Sequence, residues 1–364
     1  MKKIMLVFGT RPEAIKMCPL VRELRTRAGI NTVVCVTGQH REMLDGVLDA
    51  FGITADYDLS VMREDQTLFD ITQNVLFRIR PVLEAEKPDL VLVHGDTTTA
   101  FASALACFYL GIPVGHVEAG LRTHNVSSPY PEEFNRRAVG ILAAYHFAPT
   151  ETAKANLIAE GVDESTVFVT GNTVIDAIRT TVKDSYSHPL ADAAGCGRLV
   201  LVTAHRRENL GEPMLEMFRA VRRVIDAHAD VTVICPVHPN PAVREAADKI
   251  FRGSDRIHVT CPLNVIDFHN ILSRSYLVLT DSGGIQEEAS ALGKPVLVMR
   301  DNTERPEGVL SGNLMLVGTS QDRIAHEFSR ILDCKDEYIK MTRVSNPYGD
   351  GDACRRIADI LTKA

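Results

Sequence analysis

Residues 276–308, YLVLTDSGGIQEEASALGKPVLVMRDNTERPEG, hold the pattern that decides the fold. The apolar run 276–279 reads as a buried strand, and residues 280–284 (TDSGG) as a tight polar turn. Residues 285–292 read as a helix that Gly293 ends. A second strand, 295–299, delivers a loop carrying Arg300, Asp301, Glu304 and Arg305. Strand, turn, helix and strand in this order make half of a parallel α/β sheet, whose ligands bind beyond the strand C-termini. Glycines ahead of a helix let backbone N–H groups approach an anion, and the helix end adds about half a positive charge. The loop arginines are suited to grip phosphate with paired donors. Glu287 and Glu288 fall in the expected first turn, where they would repel phosphate, which points one of them at sugar hydroxyls. A capped helix after a turn accounts for the same residues without any ligand.

An earlier stretch repeats this plan. A strand at 90–93 ends in HGDTTT (94–99), a small-residue helix runs to Leu110, and Gly111-Ile112-Pro113 turns the chain into a strand at 114–117 tipped by EAGLR (118–122). Asp96 to Glu118 thus parallels Asp281 to Arg300, which predicts two Rossmann-like sheets, one in each half. The first strand, 3–8, runs into GTRPEAIK (9–16), where Pro12 suits the first turn of a helix. Arg11 and Lys16 flank that helix start, a place for phosphate or nucleotide, or simply a solvated turn. A long helix is expected at 65–86. Polar residues 183–198 read as a loop near a domain boundary, and 346–364 as a polar turn and a last amphipathic helix.

At 364 residues and 45% hydrophobic content, two domains with ample cores are expected. A net charge of −7 argues against a broad nucleic-acid surface and leaves room for a local anion pocket. The eight cysteines are scattered without CxxC or zinc spacing, as for free thiols in a reducing cytosol. The N-terminal apolar run stops at Gly9 and Arg11, too short for a signal peptide, and 101–114 is too short to span a bilayer. A cytoplasmic protein is expected. No GxGxxG follows the first strand, no GxSxG elbow is present and no HxxxH pair exists, so neither a nicotinamide nor a metal is expected.

The strand tips collect Arg11, Asp96, Glu118, His205, His238, Ser282 and Arg305. Two sheets facing each other would bring these tips into one cleft, suited to a phosphorylated substrate and acid/base chemistry. Each has a plainer reading: Asp96 capping the helix from Thr97, Glu118 in a structural ion pair, His205 in a surface loop, His94, His116 and His238 as hydrogen-bonded core or rim histidines.

Twelve motifs in order then carry a resemblance: FGTRPEAIKM, TGQHREML, VLVHGDTTT, PVGHVEAGLRT, PEEFNRR, PTETA, TGNTVIDA, TAHRREN, PVHPNP, LTDSGGIQEEA, GKPVLVMRDNTERPE and NPYGDG. Nearly end to end, the chain resembles the bacterial non-hydrolysing UDP-N-acetylglucosamine 2-epimerases. The resemblance implies an α/β GT-B architecture, two doubly wound Rossmann-like domains with the active site in the cleft between them. Residues 1–170 would bring the catalytic carboxylates, 171–345 would bind UDP, and the helix in 346–364 would pack back on the first domain. It implies reversible epimerisation of UDP-GlcNAc to UDP-ManNAc through 2-acetamidoglucal, for surface polysaccharides, by a homodimer without cofactor or metal.

Carried over by residue, Asp96, Glu118, Glu132 and His205 would be catalytic. Ser282, Gly283 and Gly284 would hold phosphate, Glu288 the ribose, and Phe268 would lie near the base. Arg11, Lys16, Arg136 and Arg305 complete the substrate set. Gln39, Arg206 and His238 match parts of a second, activating UDP-GlcNAc site. Glu42 and Asp65 depart from its pattern, as Leu263 does near the base. A GT-B glycosyltransferase, a hydrolysing epimerase and a non-catalytic UDP-sugar sensor are the rival readings; turnover without an acceptor separates the first and last from an epimerase.

Overall fold

Strand β1 (Lys2–Phe8) is buried without a break from Ile4 to Phe8. A continuous apolar run, rather than an alternating one, belongs to a parallel sheet covered on both faces. β1 is followed by β2 (Ile30–Val36), β3 (Tyr57–Asp58), β4 (Leu90–His94), β5 (Val114–Val117), β6 (Tyr145–Ala148) and β7 (Val167–Val169). Every pairing among them is parallel, in the order β3-β2-β1-β4-β5-β6-β7. This computed structural model describes residues 1–38, 41–63, 66–192 and 194–363, with the side chains of 41–43 and 207 outside the description. Gln39 and Asp65 therefore lie outside the described residues, as does the side chain of Glu42.

Residues 1–180 and 348–364 make one unit, and residues 181–347 a second. The second holds β8 (Arg198–Thr203), β9 (Val231–Pro236), β10 (Ile257–Thr260), β11 (Leu277–Thr280), β12 (Val296–Val298) and β13 (Leu314–Leu316). Its order, β10-β9-β8-β11-β12-β13, is again fully parallel. Both sheets reverse direction of growth once, between β1 and β4 and between β8 and β11. Such reversals open a crevice at the strand C-termini. β4 and β11 occupy equivalent places, as do β5 and β12, so the repetition legible around Asp96 and Asp281 is a repetition of topology.

Several boundaries differ from expectation, each for a local reason. The helix expected at 65–86 runs Leu68–Glu86, because Thr67 and Asp70 close a capping box at its start. The helix after β11 is Gly283–Ala291, two residues earlier than expected. Glu287 and Glu288 therefore sit in its second turn and not in the first. Within the loop expected at 183–198, Pro189–Asp192 forms a single helical turn. Asp96 does not cap the next helix; Thr97 does, its hydroxyl accepting from Ala100 N at 3.0 Å.

The chain leaves the first unit at Thr180 and returns at Tyr348. Its last helix, Ala353–Lys363, packs on the helix Arg11–Arg25. Ile357 and Leu361 are fully buried there, each worth about 1.5–3 kcal/mol. Asp176 receives the N–H groups of Ala353 and Cys354 at 3.3 and 3.0 Å, a carboxylate at the positive end of that helix. All eight cysteines are free. Burial pushes the thiols of Cys18, Cys35, Cys107 and Cys235 up to about 12, which makes them poor nucleophiles. Among the described residues, no helix is long and apolar enough to cross a membrane.

Candidate active site

The first unit concentrates charge where its sheet reverses. Glu13, buried in the first turn of the Arg11–Arg25 helix, accepts from Gly9 N at 3.0 Å, Thr10 N at 2.8 Å and the Thr97 hydroxyl at 2.7 Å. One carboxylate thereby ties the tip of β1 to the tip of β4. Burial raises its pKa, against these hydrogen bonds. Glu118, at the tip of β5, has φ of 63°. The left-handed region costs a non-glycine residue on the order of 1–3 kcal/mol and is held only where surroundings enforce it. Three groups do so here: Lys16 forms an ion pair with Glu118, Asn172 Nδ2 donates to its Oε2 at 2.9 Å, and His94 Nε2 stands 3.8 Å away. Asp96, at the tip of β4, is gripped by Arg136, whose Nε donates at 3.2 Å. Arg136 also binds Glu133 at 2.9 Å. Glu133 has no exposed surface and takes the backbone N–H groups of Thr123 and His124 as well, at 3.1 and 3.2 Å. Glu132 begins the same helix, Glu132–Leu142, one position before that anchor.

The second unit gathers cations around one helix start. Asp281, fully buried after β11, accepts from the backbone N–H groups of His205 and Arg206 at 3.0 and 2.9 Å, and from Asn209 Nδ2 at 3.0 Å. It thus fixes the loop after β8. The His205 ring lies against His238, with centroids 6.1 Å apart and planes 17° from parallel. His238 Nδ1 accepts from Asn240 N at 3.1 Å, which places its proton on Nε2. Protein crowding lowers the His205 pKa although 40% of the side chain remains exposed, with Asp281 opposing the shift at 3.4 Å.

Ser282 is the N-cap of Gly283–Ala291, yet its hydroxyl makes no capping hydrogen bond. A Cβ on Gly283 would stand 2.4 Å from Arg305 Nη1, so any larger residue would displace this guanidinium from the helix start. Arg305 Nε donates to Glu287 at 2.7 Å, and its Nη1 to Glu304 at 2.5 Å. Glu304 also meets Arg300 at 3.0 Å and Arg206 at 3.5 Å. Burial pushes Glu304 up, but Arg305, Arg300 and Arg206 together hold it well below the usual carboxylate range. Farther along, Glu288 Oε2 is 3.6 Å from His269 Nε2. Phe268 is 9% exposed in an apolar cluster with Ile271 and Leu272.

The family profile for UDP-N-acetylglucosamine 2-epimerase matches residues 22–362. The chain belongs to this epimerase family. It is 59% identical, over 359 residues, to the UDP-N-acetylglucosamine 2-epimerase of Bacillus subtilis strain 168, covering 99% of this chain and 94% of that one. Among solved structures, S. aureus MnaA with UDP is 51% identical, with a TM-score of 0.96 over 100% of this chain and 96% of that one. The UDP-GlcNAc 2-epimerase of Neisseria meningitidis, bound to UDP-GlcNAc, is 46% identical, with a TM-score of 0.95 over the whole of both chains. Its two parallel α/β units are accordingly of the GT-B type.

In this epimerase-family chain the sequence-derived residues fall into two sets. Arg11, Lys16, Asp96, Glu118, Glu132 and Arg136 lie in the first unit; His205, Arg206, His238, Phe268, Ser282, Gly283, Gly284, Glu288 and Arg305 lie in the second. Contacts join Lys16 to Glu118 and Arg136 to Asp96 in the first, and Arg206 to Arg305 through Glu304 in the second. Sequence reading missed Glu13, Glu133, Asn172, Asp281 and Glu304 as organisers of these sets. Only Glu13 carried a local signal, the Thr10-x-x-Glu13 capping box. Among the described residues, no group of three or more His, Cys, Asp or Glu is placed to hold a metal ion.

Proposed function

We propose that the protein interconverts UDP-GlcNAc and UDP-ManNAc by eliminating UDP and adding it back. The proton at sugar C2 is barely acidic, because no carbonyl adjoins it. It becomes acidic as the C1–O bond to UDP breaks and positive charge grows at C1. A carboxylate takes the proton, the C2–H electron pair forms the C1=C2 bond of 2-acetamidoglucal, and the C1–O pair leaves with UDP. Return of a proton to the opposite face of C2, with the UDP oxygen re-forming the bond to C1, gives the epimer. Atoms and electrons balance without an oxidant or a cofactor. The observation that carries this reading is Glu118, a nearly buried carboxylate in a strained conformation, aligned by Lys16 and Asn172.

Asp96 and Glu132 complete the acid/base set, without an assignment of faces. The helix start at Gly283 and the arginines beside it suit the departing diphosphate. The UDP held by S. aureus MnaA and the UDP-GlcNAc held by the Neisseria epimerase support the substrate. The same reading places the enzyme in the cytoplasm, feeding surface polysaccharide synthesis. Proton NMR of UDP-GlcNAc with the enzyme in D₂O tests it. UDP-ManNAc is expected, with the C2 proton signal of both sugars lost. Epimerisation with the C2 hydrogen retained would overturn the elimination route, and accumulation of free ManNAc would make the enzyme a hydrolase.

The reading includes a homodimer. Phe69 and Phe77 are 88% and 80% exposed on the helix Leu68–Glu86, beside Tyr130 and Phe134. They border a largely apolar groove of about 920 Å³ that also takes in Leu76 and Phe101. At roughly 150–250 Å² per aromatic side chain, this patch approaches the roughly 800 Å² that a stable interface buries on each partner. Projecting rings and a receiving groove on one patch suit a twofold, self-complementary contact. Sedimentation equilibrium is expected to find a dimer at micromolar concentration, and a monomer for Phe69→Asp with Phe77→Asp. A monomeric wild type would refute this.

A further inference from the structure

We infer that Asn172 is a positioning residue for Glu118, locked in place by the C-terminal segment that returns to the first unit. The inference rests on the reading of Glu118 as an acid/base group. Asn172 follows β7, is 2% exposed, and has both ends of its amide committed. Its Oδ1 accepts from Val174 N at 3.0 Å, so its Nδ2 must be the end that donates to Glu118 Oε2 at 2.9 Å. Its backbone N–H donates to Tyr348 O at 2.8 Å. That contact needs two glycines back to back. Gly171 and Gly349 have φ of 86° and 123°, and a Cβ on Gly349 would stand 3.1 Å from Gly171 Cα. Asn172 is therefore held by its own helix start, by the returning chain and by the carboxylate it serves.

Lys16 and His94 also face Glu118. A cation stabilises the carboxylate's charge but tolerates rotation of the group about its last torsion. A neutral, immobilised N–H donor fixes which oxygen points where, without altering the net charge. Removing a proton from carbon demands such aim, because misplacement by about 1 Å costs on the order of 10²-fold. Asn172 thus adds a fixed, uncharged aim on the Oε2 that Lys16 also binds, and Lys16 and His94 supply the field.

Asn172→Asp tests this with almost no change of shape. It keeps the oxygen that accepts from Val174 and turns the donor into a second acceptor against Glu118. kcat is expected to fall about 10²-fold, while KM and calorimetric UDP affinity stay within about threefold. Two facing carboxylates ionise less readily, so the acidic limb of the kcat profile moves to higher pH. Asn172→Ser, which adds no charge, is expected to lower kcat without that shift. Wild-type kcat and pH profile in both variants would overturn the inference. So would parallel loss of kcat, UDP affinity and melting temperature, which marks a structural role. Glu118→Gln separates the two levels. If it stays active, Glu118 itself is misassigned; if it is dead while both Asn172 variants are normal, only the positioning role fails. The double variant Asn172→Asp/Glu118→Gln is expected to be no slower than Glu118→Gln alone.

Discussion

Glu118→Gln is expected to lower kcat by about 10²–10⁴-fold, the span of a lost general base, with UDP affinity changed by less than about threefold. Glutamine keeps the length and an oxygen for Asn172 to donate to, so the orientation of the side chain survives. What it loses is the capacity to hold a proton taken from C2. It also loses its ionic partner, and Lys16 is only 6% exposed. Breaking such a buried ion pair from one side costs up to about 3–5 kcal/mol. The melting temperature is therefore expected to drop as well, and kinetics must be read below the new transition. Calorimetry with UDP supplies the discriminating arm. UDP is the leaving group and lacks the amino sugar whose C2 reacts, so a base for that C2 contributes little to its binding. Equal losses in turnover and in UDP affinity would make Glu118 part of the scaffold that shapes the β5 tip, and would remove it from the chemistry.

How much of this was legible beforehand follows from the range of each interaction. Parallel strands betray themselves locally, since Ile4–Phe8 of β1 and Leu199–Val202 of β8 are unbroken apolar runs and turns such as Gly111-Ile112-Pro113 punctuate them. The topological repetition was legible for the same reason, because each β-α-β unit is built from neighbours in sequence. The charged tips were legible as a list but not as a wiring diagram. Glu118 meets Lys16 across 102 residues and Asn172 across 54, and Asp281 fixes a loop more than 70 residues earlier. No periodicity records such pairings. The Gly283 helix shows a subtler limit. Residue types suggested a start at Ile285 and glutamates in the first turn, because two glycines read as turn. Glycine stands inside the helix here because Arg305 lies where a Cβ would be. That is a packing demand set by a residue on another loop. Arg305, expected to touch diphosphate, is threaded between Glu287 and Glu304. A sequence shows that an arginine is present, and it does not show what already holds it.

That threading makes Glu304 the residue of the second unit whose loss is expected to be most destabilising. Glu304→Gln leaves Arg300 and Arg305, 4% and 6% exposed, sharing a buried site without their common counter-charge. Breaking a buried ionic cluster from one side costs about 3–5 kcal/mol. A chain of two units is not expected to unfold in one two-state step, so the cost is best read locally, as the opening free energy of backbone amides in residues 300–308 by hydrogen exchange. The sign of the pH dependence follows from the direction of the shift. The three arginines hold the folded-state pKa of Glu304 well below that of an unfolded glutamate, about 4.3. Its contribution is thus fully present above about pH 4.3 and fades as pH falls from there toward the depressed folded value. Wild type and Glu304→Gln are expected to differ most near neutral pH and to converge on acidification. Equal protection of the two proteins at pH 7 would show that the arginines are neutralised by other groups. Saturating UDP adds a second comparison. If the diphosphate meets these arginines, it replaces the missing charge, and the variant is expected to recover more protection on binding UDP than the wild type gains. An equal gain in both would place the diphosphate away from Arg300 and Arg305, and leave the helix start at Gly283 to hold it alone.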